Sequence, residues 1–189
     1  ITIGNASYSL RTANNILYLD VNYSNSANDV RLHENIGGSW QVISADASMS
    51  RIAVTSGQIL NVERGGSLSD SDINNGTVLI SGGAIASDTV INSGNVTASR
   101  GFLDNTTLAQ GYLTVDENSI ARNTIVNGGA MIIKNNGAAY TNTVTNGSIE
   151  AGYNGKMLKT TLSESATLRI YSGGSAIDTV ISSGAVVYA

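Results

Sequence analysis

Residues 73–90 have the sequence INNGTVLISGGAIASDTV, and residues 91–108 continue with INSGNVTASRGFLDNTTL. Both begin with isoleucine and asparagine, pass through glycine into alternating apolar residues, and end on threonine and an aliphatic residue. A period of roughly 18 residues, rich in strand-forming residues and punctuated by glycine, is typical of stacked repeats whose units contact mainly their neighbours.

A threonine followed by Val, Ile or Leu recurs through the second half of the chain, and we predict that these threonines form one ladder. They are Thr89, Thr107, Thr124, Thr143, Thr161 and Thr179. Apolar pairs also alternate with mixed residues, and period two places each pair on one side of a short strand. The pairs predicted to face a core are Val78/Ile80, Val96/Ala98, Leu113/Val115, Met131/Ile133, Ile149/Ala151, Leu168/Ile170 and Val186/Tyr188.

The repeat unit is too short for a hairpin, a crossover helix or a propeller blade, but it suffices for one coil of a parallel β-solenoid. We therefore predict an all-β fold in which residues 51–189 form about seven and a half coils, stacked about 4.8 Å apart. Like residues then form ladders along the axis. Those predicted to hydrogen-bond in this way are Asn74, Asn92, Asn127 and Asn146.

Residues 1–50 lack this period and are predicted to form a small antiparallel β cap on the first coil, because an open coil exposes unpaired backbone. Residues 30–34 and 39–43 flank a turn sequence and predict a β-hairpin, which contains His33 and Trp40. The chain begins with Ile and ends in mid-coil, so we expect it to be a fragment of a longer protein.

The composition disfavours several classes of function. Charged residues make up 13% of the chain, the net charge is −4, and the basic residues are scattered, which argues against a nucleic-acid partner. The absence of cysteine excludes thiolate metal sites and disulfides. No apolar run is long enough to span a bilayer, so no membrane insertion is predicted.

Three segments carry a resemblance to a known family: ISGGAIASDTV at 80–90, INSGNV at 91–96 and YSGGSAIDTVISSGAV at 171–186. They resemble the passenger repeats of AIDA-type autotransporter adhesins, and the resemblance covers residues from about 52 to 189. It implies a right-handed parallel β-helix on the bacterial cell surface, anchored by an outer-membrane region outside this chain. The partners that it implies are a host-cell surface, a glycan receptor or a second copy on another cell.

The resemblance also implies heptose attached to hydroxyls in the turns. The matching acceptors are Ser56, Ser93, Ser165 and Ser183. Asn75 and Gly128 stand at the same place in other copies, so the row of acceptors is interrupted.

No catalytic residue, cofactor or metal site is predicted. His33 lacks the partners of a nucleophilic triad or a metal cluster, and the calcium-binding nonapeptide of other solenoids is absent. Asp88 and Asp104 stand near equivalent repeat positions and could act as the paired carboxylates of a glycan-cleaving enzyme, or as turn residues with local hydrogen bonds.

Two surface features remain open to interpretation. The threonines could order water as in an ice-binding array, or pack beside the core. Four tyrosines, Tyr112, Tyr140, Tyr153 and Tyr171, could stack on sugars or fill edges. The resulting hypotheses, in order of preference, are an adhesin that binds through many weak contacts, a passive spacer, and a glycan-cleaving enzyme.

Overall fold

A computed structural model describes most of the chain. The backbone is described for residues 2–3, 6–13, 16–23, 29–34, 39–43, 48–63 and 66–189, and the side chains for residues 50–62 and 66–189.

Four N-terminal strands form an antiparallel sheet in chain order. They are β1 (Thr2–Ile3), β2 (Ala6–Ala13), β3 (Ile16–Tyr23) and β4 (Asp29–Glu34). The side chain of His33, on β4, lies outside the described residues. That this sheet caps the solenoid stays a prediction.

The other strands form one parallel sheet that winds around a core. They are β5 (Ser39–Ile43), β6 (Ser48–Ser50), β7 (Ala53–Thr55), β8 (Ile59–Glu63), β9 (Ser67–Ser69), β10 (Asp72–Ser81), β11 (Ile85–Ser87), β12 (Val90–Ser99), β13 (Phe102–Asp104), β14 (Thr107–Leu108), β15 (Tyr112–Asp116), β16 (Ile120–Arg122), β17 (Ile125–Val126), β18 (Ala130–Ile133), β19 (Ala138–Val144), β20 (Ser148–Ala151), β21 (Lys156–Leu162), β22 (Thr167–Ile170), β23 (Ser175–Ile177), β24 (Val180–Ile181) and β25 (Val186–Tyr188). The predicted parallel β-solenoid is confirmed, with about 7 turns roughly 18 residues apart. Its right-handed winding stays a prediction.

The predicted hairpin of residues 30–34 and 39–43 is wrong in its second strand. Strand β5 pairs in parallel with β8, with Trp40 opposite Leu60 and Val42 opposite Val62, and β6 pairs in parallel with β9. Strand β5 is therefore in backbone register with the next coil. The parallel sheet thus includes residues 39–43 and 48–50, and the division of the chain into two units at residue 50 stays a prediction.

Each coil contributes to three stacks of parallel strands. Stack A consists of β6, β9, β11, β13, β16, the first parts of β19 and β21, and β23. Stack B consists of β7, the first parts of β10 and β12, β14, β17, the last parts of β19 and β21, and β24. Stack C consists of β5, β8, the last parts of β10 and β12, β15, β18, β20, β22 and β25.

The core lies between the stacks and is built from aliphatic ladders. The inner residues of stack B are fully buried from Val54 to Leu162, and burial of one such side chain contributes about 1.5–3 kcal/mol. The predicted inward pairs are confirmed from Val78/Ile80 to Leu168/Ile170, with Ile170 half-buried. The last pair is wrong by one residue, because Val187 pairs with Leu168.

Glycines lie where neighbouring coils approach most closely. The backbone of Gly111 has φ +86°, and a Cβ there would lie 2.2 Å from the carbonyl oxygen of Gly94. A Cβ on Gly129 would lie 2.4 Å from the carbonyl oxygen of Gly111. Any side chain would push the coils apart, so stacking itself explains why glycine recurs before stack C.

Candidate binding surface

The predicted threonine ladder is two ladders. Thr89 and Thr124 are buried, and Thr179, at the same place in its coil, is half-buried. Thr107, Thr143 and Thr161 lie one residue later, with side chains half-buried or exposed. In strand register, Thr107 pairs with Val90 and Ile125, and Thr161 pairs with Val180. The motif of a threonine followed by an aliphatic residue does not distinguish these two ladders. In several coils the two adjacent ladder positions hold Thr-Thr or Asn-Thr, and the motif then selects the second of them.

The buried ladder is polar from Ser71 to Thr160, whereas Ile52 holds the same place in the coil before Ser71. Its members, all at most 1% exposed, are Ser71, Thr89, Thr106, Thr124, Asn142 and Thr160. The hydroxyl of Thr89 donates to the carbonyl oxygen of Ser87 at 3.2 Å, whereas among the described residues the hydroxyls of Thr106 and Thr124 have no partner. This ladder is therefore inaccessible to a partner.

The outer ladder of stack B mixes hydroxyls with aliphatic side chains. It comprises Ala53, Asp72, Val90, Thr107, Ile125, Thr143, Thr161 and Val180. Because Val and Ile interrupt the threonines, this ladder is not the regular array of hydroxyls that an ice-binding face needs.

Amide side chains extend the hydrogen bonding between coils, as predicted for four asparagines. Asn92 Nδ2 donates to Asn74 Oδ1 at 2.9 Å. Asn127 and Asn146 also bond to the next coil, although their partners there are not asparagines. Asn127 accepts from Thr145 at 3.0 Å, and Asn146, one residue later in its coil, donates to Glu164 at 3.0 Å.

The four candidate acceptor serines lie at one edge of the solenoid, between stacks B and C. Ser56 and Ser183 occupy the same position in two similar turns, which end in hydrogen bonds from Gln58 N to Thr55 O and from Ala185 N to Ser182 O. Ser165 lies one position later in its turn, and Ser93 lies within β12, half-buried. Ser56, Ser165 and Ser183 are exposed.

Asp88 and Asp104 occupy different positions of the repeat. Strand register places Asp104 opposite Ser87, and Asp88 lies in the following turn with φ +50°. Each carboxylate accepts a hydrogen bond from an amide of the next coil: Asp88 from Asn105, and Asp104 from Asn123 at 2.9 Å. This arrangement favours turn residues with local hydrogen bonds over a pair of carboxylates that face a common substrate.

A shallow groove interrupts the outer surface at the edge of stack C. Its volume is about 440 Å³, and the tyrosines that line it, Tyr153 and Tyr171, are 72% and 51% exposed. Lys134 and Glu150 also line it, together with Ile132, Gly152 and Ser172. The sequence placed both tyrosines among candidate sugar-stacking residues, but only the coil stacking brings them together.

The groove exists because one side chain is missing from a ladder of larger ones. The edge ladder, as we name it, consists of Ser81, Ser99, Asp116, Lys134, Gly152 and Tyr171. At Gly152 this ladder contributes no side chain, so a gap opens between Lys134 of the coil before and Tyr171 of the coil after. A Cβ on Gly152 would meet Tyr171 at 3.5 Å, an ordinary contact.

The charged residues of the groove are neutralised by neighbours. Lys134 Nζ lies 3.4 Å from Asp116 Oδ2, and Arg169 Nη1 lies 3.2 Å from Glu150 Oε1. The groove therefore combines aromatic surface with polar groups and carries no net charge.

The other candidate tyrosines lie elsewhere. Tyr112 is 55% exposed on β15. On stack A the guanidinium of Arg122 lies over the rings of Phe102 and Tyr140, at 5.4 and 5.9 Å from their centroids. Sequence reasoning missed this stack, because its members come from three successive coils and no local motif marks them.

The fold places the chain in a class of proteins, the parallel β-solenoids with short coils. Comparison with known proteins gives a more specific relationship. No family model matches the chain, and no curated protein matches it. A solved structure of a TibC-catalysed, hyper-glycosylated TibA fragment is similar, with a TM-score of 0.71 and 27% sequence identity. The match covers 79% of this chain and 56% of that chain, so this chain corresponds to little more than half of the solved fragment.

That solved fragment is a passenger of an autotransporter adhesin, and the similarity supports a relationship of this chain to AIDA-type passengers. This similarity is consistent with an adhesin-type function and with a secreted, surface-exposed location. Within the described part of the chain, no helix has the length and apolar character to cross a membrane.

Proposed function

We propose that this chain is part of an autotransporter adhesin passenger and acts without catalysis, by binding a host-cell surface, a glycan or a second copy of itself. The observation that carries the proposal is the parallel solenoid itself, together with its similarity to the TibA passenger. Stacked coils present long exposed ladders whose contacts repeat along the axis. Many weak contacts of this kind add up through effective concentration rather than through one deep pocket.

The same similarity supports the further proposal that the chain is displayed at the bacterial cell surface, with its anchor in a region outside this chain. Since the carboxylates of Asp88 and Asp104 accept hydrogen bonds from neighbouring coils, they serve the turns in this proposal, and the chain releases no reducing ends from polysaccharides.

Beads coated with this chain at graded density test the proposal. We expect clumping, or binding to host cells, that rises more steeply than in proportion to coating density, because each added contact strengthens the others. Uncoated beads and beads coated with a bovine albumin control set the baseline. If coated beads stay inert at every density, the chain is a passive spacer and the adhesin proposal fails.

We further propose that Ser56, Ser93, Ser165 and Ser183 accept sugars, because the similar TibA fragment is hyper-glycosylated by TibC and three of the serines are exposed. Expression with and without TibC, followed by intact-mass spectrometry, tests this. We expect added mass when the chain is expressed with TibC. We expect a Ser56→Ala/Ser183→Ala variant to lose the largest part of that added mass, because these two serines lie at the tips of equivalent turns. An unchanged mass in the presence of TibC would contradict it.

A further inference from the structure

The groove at Gly152 is a built feature of the outer surface. The edge ladder has a side chain at Lys134 and at Tyr171, and it loses that side chain only at the coil between them. Stacked coils lie about 4.8 Å apart, so the backbones of Lys134 and Tyr171 are about two coil spacings apart, and the side chain of Tyr171 borders the gap at Gly152. Tyr153 closes it on the side of the turn, and Glu150 lies on the side of the strand.

Tyr153 is not required by the turn that holds it. The turn runs from Gly152 to Gly155, closed by a hydrogen bond from Gly155 N to Gly152 O at 2.9 Å, and Tyr153 has φ +44°. Asn135 holds the same position one coil earlier with φ +49°. Asparagine adopts this conformation more readily than a bulky aromatic residue, so the tyrosine is better explained by what its ring contacts outside the turn.

We infer that this groove binds a neutral saccharide, with the tyrosine rings against the apolar face of a sugar and the polar rim against its hydroxyls. Its volume of about 440 Å³ falls within the range of about 300–1,000 Å³ typical of ligand sites. A sugar ring has carbon-bound hydrogens on its faces and hydroxyls around its edge. The tyrosine rings match the carbon-bound faces of the sugar, and Lys134, Glu150 and Ser172 offer partners to its hydroxyls.

Charge decides between classes of ligand. The ammonium of Lys134 and the carboxylate of Glu150 each have an opposite charge within 4.0 Å, from Asp116 and Arg169. An acidic sugar would meet Asp116 and Glu150 as well as Lys134, and a basic peptide would meet Lys134 and Arg169, so neither finds a net opposite charge. A neutral sugar can accept from Lys134 and donate to Glu150 while both ion pairs persist.

The inference rests on the proposed function, since it names the ligand class of one part of the adhesive surface. Its test is titration of the full chain with methyl glycosides of glucose, galactose and mannose, followed by NMR. Sialyllactose and trilysine serve as acidic and basic probes. We expect at least one neutral glycoside to bind with a dissociation constant of about a millimolar and to shift the resonances of Tyr153 and Tyr171.

The variants replace groove residues by what the same ladder position holds elsewhere, so that folding is preserved. They are Tyr153→Asn, after Asn135, Tyr171→Ser, after Ser81 and Ser99, and Gly152→Ser, which fills the gap. Each should weaken binding about tenfold or more, the loss of about 1.4 kcal/mol. Tyr112→Asn, after Asn95 on the preceding coil, is the matched control and should bind like the parent chain.

Three outcomes of this experiment would contradict the inference. The inference is overturned if no neutral glycoside binds, if sialyllactose or trilysine binds more tightly, or if Tyr112→Asn loses as much affinity as Tyr153→Asn. Coated beads separate this outcome from the proposed function. If beads of the parent chain clump while no glycoside binds it, adhesion stands and the groove assignment falls.

Discussion

Stack C has an inner ladder, which faces the core, and an outer ladder beside it, which faces away from the core. The two ladders differ in how much the residue type varies from coil to coil. The inner ladder runs through Leu60, Val78, Val96, Leu113, Met131, Ile149 and Leu168, and each of these is at most 1% exposed. The outer ladder beside it runs through Asn61, Leu79, Thr97, Thr114, Ile132, Glu150 and Arg169.

The inner ladder must be apolar because each side chain packs against the coils before and after it, and a polar group there would be buried without a partner. The outer side has no such requirement, so it varies from coil to coil. The uniformly apolar inner residues stabilise the fold. The variable outer residues form the grooves and charges that a partner can recognise.

The largest expected effect is on the free energy of unfolding, and it should differ sharply between two adjacent residues of β15. Leu113→Ala removes a fully buried side chain between two coils and should destabilise the chain by about 2–5 kcal/mol. Thr114→Ala, on the outer side, should change stability by no more than about 0.5 kcal/mol. Urea unfolding followed by circular dichroism measures both, and similar losses in the two variants would erase the distinction between the ladders.

A smaller effect concerns the buried polar ladder, which is an exception to the apolar interior. Thr106→Val removes a hydroxyl that has no partner among the described residues, so it should be neutral or stabilising by up to about 1 kcal/mol. Thr89→Val removes a hydroxyl that donates to Ser87 O and should cost about 1 kcal/mol. Thermal unfolding of the matched pair checks this. Equal losses would mean that both hydroxyls are equally satisfied.

The smallest effect concerns the outer ion pair of Glu150 and Arg169. Both side chains are accessible, at 21% and 40% exposure, so a double-mutant cycle with Glu150→Gln and Arg169→Gln should give a coupling energy of about 0.2–1 kcal/mol. Salt should reduce it further, since the Debye length falls to about 3 Å at 1 M. A coupling that is larger and insensitive to salt would show that the outer ladder also stabilises the fold.

The period of the repeat was sufficient to predict the solenoid and most of its inner pairs. The prediction went wrong where coil length changes. In the last coil, the turn from Ser182 to Ala185 contains one more residue than the repeat pattern assumes, so Val187 rather than Val186 stacks on Leu168. The threonine motif went wrong because the aliphatic residue that follows the threonine is an outer residue in some coils, such as Val90, and a buried inner residue in others, such as Leu108.

The candidate groove could be predicted only in its parts. The sequence singled out Tyr153 and Tyr171 as exposed aromatic candidates. It did not indicate that Gly152 opens a gap between Lys134 and Tyr171, because only the register between coils shows that Gly152 stands where the neighbouring coils have those larger residues. The pairing of β5 with β8 was also missed, since residues 39–43 lack the repeat motif and show only its alternation.

The repeat in the sequence is enough to predict that the chain coils, because strand-forming residues at a fixed period can bury their apolar sides only by stacking on the next copy. The folded chain is needed to see which side chains meet across coils: the split of the threonines into a buried and an outer ladder, the amide partners of Asp88 and Asp104, and the groove at Gly152. The physical reason is that coil-to-coil register depends on turn lengths that vary by one residue, and one residue moves a strand side chain from the core to the surface.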